Sequence, residues 1–167
     1  MGRDTNAIEI RSIETTDLPE LLRLMEAIVT FERGTNFKLT EAELLKRGFG
    51  EHPEFGAFVA DAGNGKLVGM AVYYEIPFMH TLQPLFMLKW LYVDPKARGK
   101  KLGKHLLKAV SRYAYELGHK QLYWFVLHDN EPAQQFYESL GATKDPEWMR
   151  WTMPPEAMKK LAIEPLL

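Results

Sequence analysis

The sequence contains no cysteine. Disulfides, zinc–thiolate centres and a cysteine acyl-enzyme are therefore excluded. It also lacks a run of about 20 apolar residues, so no membrane-spanning helix is expected. Neither sign of charge is in excess: 21 Lys and Arg face 22 Asp and Glu, a formal net charge of -1. A general nucleic-acid binder carries a marked basic surplus, so no nucleic-acid partner is expected, and only a local basic patch stays open. Met1 to Thr5 lacks the apolar core of a signal peptide, and the expected location is the cytoplasm. His52, His80, His105 and His119 have no metal-ligand spacing with one another or with acids, so no metal is expected. Serine is scarce as well, and Ser12, Ser111 and Ser139 all lack a nucleophile-elbow context.

What is present suits a single core. There are 167 residues, 46% of them hydrophobic, with no internal repeat or low-complexity linker, and one domain over 1–167 is expected. Ala7 to Ile13 alternates apolar and polar as a half-buried strand does. Thr16-Asp17-Leu18-Pro19-Glu20 has the cap, early proline and first-turn acid of a helix start, with Leu21, Leu22, Leu24, Met25, Ile28 and Val29 as its apolar face. Thr40-Glu41-Ala42-Glu43 reads as a capping box opening a second helix that stops at Gly48.

From residue 55 the pattern becomes β-prone: Ala57 to Ala60, Leu67 to Glu75 and Pro84 to Val93, the first two separated by the hairpin signal Asp61-Ala62-Gly63-Asn64-Gly65. Leu102, Leu106, Leu107, Val110, Ala114 and Leu117 then recur at helical steps up to Gly118. Gln121 to Leu127 reads as a buried strand and Asn130 to Leu140 as a helix closed by Gly141. Trp148 to Met153 alternates as a late strand, and a short helix is expected from Pro154. Strands that first form a meander and then alternate with helices predict an α/β (α+β) fold, a mixed sheet with helices on its faces.

The richest segment is Leu91 to Lys104, where a buried strand ends, the chain turns through Arg98-Gly99-Lys100-Lys101-Leu102-Gly103, and an amphipathic helix begins. At such a junction several amide N–H groups have no partner within the helix, and the helix dipole adds positive charge. Arg98, Lys100, Lys101 and Lys104 can reinforce an anion held there, and the glycines let backbone approach it. A solvated basic turn ahead of a surface helix fits the same residues. The nucleotide P-loop pattern and the Rossmann glycine spacing are both absent.

Val93-Asp94-Pro95-Lys96-Ala97-Arg98-Gly99-Lys100-Lys101-Leu102-Gly103 resembles the acetyl-CoA loop of the GNAT superfamily of N-acetyltransferases. Asn130-Glu131-Pro132-Ala133-Gln134-Gln135-Phe136-Tyr137-Glu138-Ser139-Leu140-Gly141-Ala142 resembles that family's second signature. Gly48-Phe49-Gly50-Glu51-His52-Pro53 and the Asn-Glu-Pro segment are similar to the spermidine/spermine and thialysine acetyltransferase branch. One departure is Lys101, which stands where the family loop has its middle glycine.

The resemblance implies a twisted, mostly antiparallel sheet with a V-shaped splay between two parallel strands, here Leu85–Val93 and Gln121–Leu127. Acetyl-CoA would lie in that splay, its pantetheine arm on the backbone of Leu91, Tyr92 and Val93. Its pyrophosphate would rest on Arg98, Gly99, Lys100, Lys101, Leu102, Gly103 and Lys104, with Asn130, Pro132 and Ala133 flanking the arm. It also implies direct transfer to an amine with Tyr137 as general acid, since a phenol keeps its proton at neutral pH; a core tyrosine beside Phe136 is the plainer account. Phe31, Glu32 and Trp124 would contact the acceptor, and Glu32, His128 and Glu131 are candidate proton acceptors.

The branch carries Glu-Asp where this chain has Lys89-Trp90. Lys89 either snorkels from a sheet face or lines the substrate cleft and repels a second ammonium group. The expected function is acetyl transfer to a primary amine of a small molecule. A protein or peptide acceptor, and a catalytically weak acyl-CoA-binding regulatory module, are the alternatives. A homodimer is expected from the resemblance alone.

Overall fold

The computed structural model describes residues 7–32, 34, 37–77 and 83–163. The readings at Met1 to Thr5 and at His80 lie outside them. The chain forms two compact units, Met1–Leu127 and His128–Leu167. In the first, β1 (Glu9–Ser12) leads through a 3-10 turn (Thr15–Asp17) to α1 (Leu18–Phe31) and α2 (Glu41–Phe49). Then come β2 (Gly56–Asp61), β3 (Leu67–Ile76), β4 (Leu85–Val93), a second 3-10 turn (Pro95–Ala97), α3 (Leu102–Glu116) and β5 (Leu122–Tyr123). The strands form one sheet in the order β1-β2-β3-β4-β5, antiparallel except for the parallel β4–β5 pair. The second unit holds α4 (Glu131–Glu138) and α5 (Pro155–Ala162).

Period-two alternation along β2 divides the core between the two faces of the sheet. Ala57 and Val59 pack with Leu21, Leu24, Met25 and Ile28 of α1. Between them Phe58 points to the other face, where its ring meets Tyr73 at 5.7 Å and Tyr113 of α3 at 6.0 Å. Burial in that aromatic cluster pushes the Tyr73 phenol up. The stripe expected on α3 is buried at Leu102, Leu106, Leu107, Val110 and Ala114. Leu117 departs from it: as the residue just past the helix it is 51% exposed. Gly69 lets α3 sit close to the sheet, because a Cβ there would stand 3.0 Å from the Tyr92 carbonyl oxygen and 3.1 Å from Leu106.

Local chemistry sets the element ends. Thr40 accepts from the Glu43 amide while the Glu43 carboxylate accepts from the Thr40 amide, so the capping box forms, and the helix runs past Gly48 to Phe49. Asp17, the one buried charged side chain among the described residues, takes both guanidinium nitrogens of Arg11 at 2.7 and 2.8 Å. Arg11 also bonds Asp61, joining β1, β2 and the start of α1. The hydrogen bonds from Arg11 and, second, from the Glu14 amide at 2.7 Å hold the Asp17 carboxyl below the usual carboxylate range.

Two strand expectations are corrected. Of Gln121 to Leu127 only Leu122 and Tyr123 pair, opposite Phe86 and Met87. The β4–β5 ladder ends there although β4 continues to Val93, so the two strands part after two registers. Trp148 to Met153 forms no strand; Trp148, Met149, Trp151 and Met153 are all exposed. Among the described residues no helix is long and apolar enough to cross a membrane.

Candidate active site

The turn from β4 into α3 is fastened at its base. The Asp94 amide donates to the Val68 carbonyl at 2.9 Å, and the Arg98 Nε donates to the Val93 carbonyl at 3.2 Å. Asp94, the acid within the turn, is paired with Arg23 of α1 at 3.3 Å, and the same guanidinium donates to the Leu67 carbonyl at 2.7 Å. Arg23 is shared with Glu20 at 2.9 Å, so Asp94 keeps part of its charge, but the exposed Arg98, Lys100, Lys101 and Lys104 still leave the turn positive.

Beyond Arg98 the backbone changes role. Among the described residues, none of the amides from Gly99 to Lys104 donates to another backbone carbonyl; the first α3 bond is His105 to Lys101. Gly99 has φ +83 and nothing within 4 Å of where a Cβ would lie, so the space before it is open. Lys101 caps α3 in the left-handed region, φ 59 and ψ 17. A glycine takes that conformation freely, whereas a lysine is strained there by about 1 kcal/mol. Amides with no close backbone acceptor among the described residues, a helix dipole and four cations fit a diphosphate.

A second feature lies beside the other half of β4. A cavity of about 410 Å³ has an apolar floor of Met25, Leu39, Leu44, Phe55 and Val72. Its rim carries Arg47, Glu54, Tyr74, Lys89 and Trp90. Arg47 Nε donates to Glu54 at 2.7 Å. Trp90 Nε1 donates to the carboxylate of Glu32, the residue just after α1, at 3.2 Å. Lys89 Nζ lies 5.1 Å from the centre of the Trp90 ring. The anticipated residues Glu32 and Lys89 are thus brought to one indole, with Phe31 exposed beside them. Trp124, half-buried in the first unit, is not among the cavity-lining residues. Arg47, Glu54, Phe55 and Tyr74 were not anticipated; the opposite charges at either end of Gly48–Pro53 were the available signal for the first two.

In the second unit, the remaining anticipated residues gather on α4 and its approach. Asn130 caps the helix by accepting from the Ala133 amide at 3.2 Å, with Pro132 at the second helical position. The His128 carbonyl accepts from the Gln134 side chain at 3.0 Å, while its imidazole is exposed. Tyr137 is half-buried, its ring edge-on to Phe136 at 5.1 Å. The helix stops at Glu138, short of the expected Leu140, and the chain then turns through Gly141, φ +89, where the Ala142 amide returns to the Tyr137 carbonyl.

Comparison with known proteins assigns this geometry a family. Residues 19–142 match the acetyltransferase (GNAT) family. The chain is 32% identical to thialysine N-epsilon-acetyltransferase of Mus musculus over 164 residues, covering 92% of this chain and 96% of that protein. It is 33% identical to spermidine/spermine N(1)-acetyltransferase-like protein 1 of Homo sapiens over 141 residues, 80% of this chain and 20% of that one. Its fold matches aminoglycoside N-acetyltransferase AAC(6')-Iy, solved in complex with CoA, with a TM-score of 0.69 and 18% identity over 88% of this chain and 95% of that one.

Proposed function

The chain belongs to the acetyltransferase (GNAT) family, and from that premise we propose that it transfers the acetyl group of acetyl-CoA to a primary amine of a small molecule. What supports this reading is the turn after β4, where amides without a backbone acceptor among the described residues, an open Gly99 and four exposed cations suit a diphosphate. The names of its mouse and human relatives support a small amine acceptor, as does a cavity of about 410 Å³. The CoA bound in its structural relative supports the donor.

Bound acetyl-CoA supplies the acyl group as an activated thioester. Gly99 to Lys104, with Arg98, bind the diphosphate, and the backbone of Leu91, Tyr92 and Val93 holds the pantetheine arm. Asn130 orders the start of α4, where Pro132 and Ala133 flank that arm. A C–N bond forms as the C–S bond breaks; the amine loses a proton and the thiolate gains one. Tyr137 holds the proton destined for the sulfur. Glu32, bonded to a cavity wall residue, draws the acceptor's ammonium group and is the first candidate to take its proton, ahead of His128 and Glu131. Residues 1–167 act as one catalytic domain, and the working form is a homodimer using the exposed Trp148, Met149, Trp151 and Met153.

Thiol release from acetyl-CoA, followed across a panel of primary amines, amino acids and polyamines, tests the reading. Turnover is expected with small amines, and Tyr137→Phe is expected to lower kcat about 100-fold with CoA affinity unchanged. Tight CoA binding with no turnover on any amine would overturn acetyl transfer. Failure to bind CoA at all would remove the cradle. Sedimentation of the intact protein at twice 19.3 kDa is expected; a monomer would remove the dimer.

A further inference from the structure

We propose that the acceptor is a monoamine with an uncharged hydrocarbon tail, and that the cavity beside β4 takes the tail; this rests on the acetyl-transfer reading above and names its substrate class.

The core on the α1 face of the sheet is left open at one place. Met25 and Leu44 of the two helices and Val72 of β3 are each no more than 3% exposed, whereas Leu39 and Phe55, packed on the same cluster, are only half-buried. These five apolar side chains floor the cavity of about 410 Å³. Interiors are otherwise packed to crystal density, and an apolar cavity of about 150 Å³ already holds a benzene ring. A hydrocarbon tail on this floor completes the core and leaves water in doing so.

The charges nearby suit a single cationic head. Trp90, half-buried, continues the floor as a wall, and Glu32 accepts from its Nε1 edge at 3.2 Å. Among the described residues no cation neutralises Glu32, so an ammonium group is drawn there while its tail lies on the floor. The far end of the tail finds no such partner. Glu54 is held by Arg47 at 2.7 Å. Lys89, the extra residue where Val72 faces Trp90 and Tyr73 faces Leu88, adds a cation at the rim in place of an acid. Because Lys89 is exposed, a carboxylate paired with it there gains little. A second ammonium or a carboxylate on the tail is thus desolvated on an apolar surface without compensation and is driven back to solvent.

Ethylamine, butylamine and hexylamine lengthen the tail by two methylenes at a step. Thiol release should show kcat/KM rising about tenfold per step, carried in KM, since a fully buried methylene is worth about fourfold and the rim is open. 1,6-Diaminohexane and 6-aminohexanoate match hexylamine in length but end in a charge, and should fall about 100-fold below it, to the level of ethylamine. Leu39→Glu sets a charge on the floor and should flatten the alkyl series; Leu39→Trp fills the floor and should stop the rise at butylamine. Each is a ratio within one preparation, which a loss of folded protein does not move. A flat wild-type series, tolerance of either charged end, or a rise that survives both variants overturns the inference and leaves acetyl transfer standing. If no amine releases thiol, calorimetric binding to the wild type decides: hexylamine about 100-fold tighter than ethylamine sustains the apolar site without the reaction, and equal binding removes it.

Discussion

Leu21, Leu24, Val59, Met70 and Leu106 in the first unit have no measurable exposure, whereas no residue of α4 or α5 in the second is buried. The first unit is organised by side chains that enclose one another on both faces of a sheet. In the second, local bonds give the chain its shape: the Asn130 cap, the turn at Gly141, and Asp145 accepting from the amides of Glu147 and Trp148. Large apolar side chains there stay in contact with solvent, Trp151 at 85% and Met149 at 75%. Sequence changes should therefore act on stability in the first unit and on function or assembly in the second.

The sharpest way to break this contrast is to truncate one side chain in each unit. Leu24→Ala empties a fully buried site and should cost about 3 kcal/mol in urea unfolding, whereas Ile163→Ser, at an exposed position of the second unit, should stay within about 0.5 kcal/mol. Equal losses would mean the second unit has a core of its own.

Next in size is the charged network that fastens β1 to the rest of the first unit. Asp17→Asn removes the charge that Arg11 grips and should cost about 2 kcal/mol at neutral pH. Because the folded-state Asp17 carboxyl lies below its unfolded value, its contribution is present above the unfolded pKa and disappears as pH falls through the folded one. The gap between wild type and variant should accordingly close below about pH 4; a constant gap down to pH 2 would assign the loss to packing.

The smallest effect is expected at Lys101. Lys101→Gly relieves a left-handed lysine and should stabilise the protein by up to about 1 kcal/mol, less what the freer unfolded chain takes back. Thermal unfolding with and without CoA checks it, and a destabilised variant would mean that the lysine side chain braces the turn.

Much of the first unit was legible because its signals are local. The Thr40–Glu43 box, the 3- and 4-residue steps from Leu102 to Ala114 and the loop from Asp61 to Gly65 each encode their own geometry. Pairing is not local, and there the reading failed. Gln121 to Leu127 is β-prone throughout, yet a strand exists only while a neighbour runs beside it, which stops at Tyr123. Trp148 to Met153 alternates convincingly but has no neighbouring strand. In the site, Lys89 stood out as a cation in an apolar run, but its unpartnered register follows from how β3 lies against β4, which no single strand records. The Arg47–Glu54 pair was hidden for the same reason, since its members meet only once α2 has turned back toward β2.

Arg23 and Glu32 are nine positions apart on or just past α1, a rise of about 14 Å. Their partners, Asp94 and Trp90, are four positions apart along an extended chain, about 13 Å. The two spans agree, and they run in opposite directions, so α1 acts as a splint tied from its second turn and from the residue after it to Asp94, just past β4, and to Trp90 within it. Lys89 lies next to one tie and the basic turn next to the other. A stiff rod of matching length thus runs beside the gap between the two, with one contact near each.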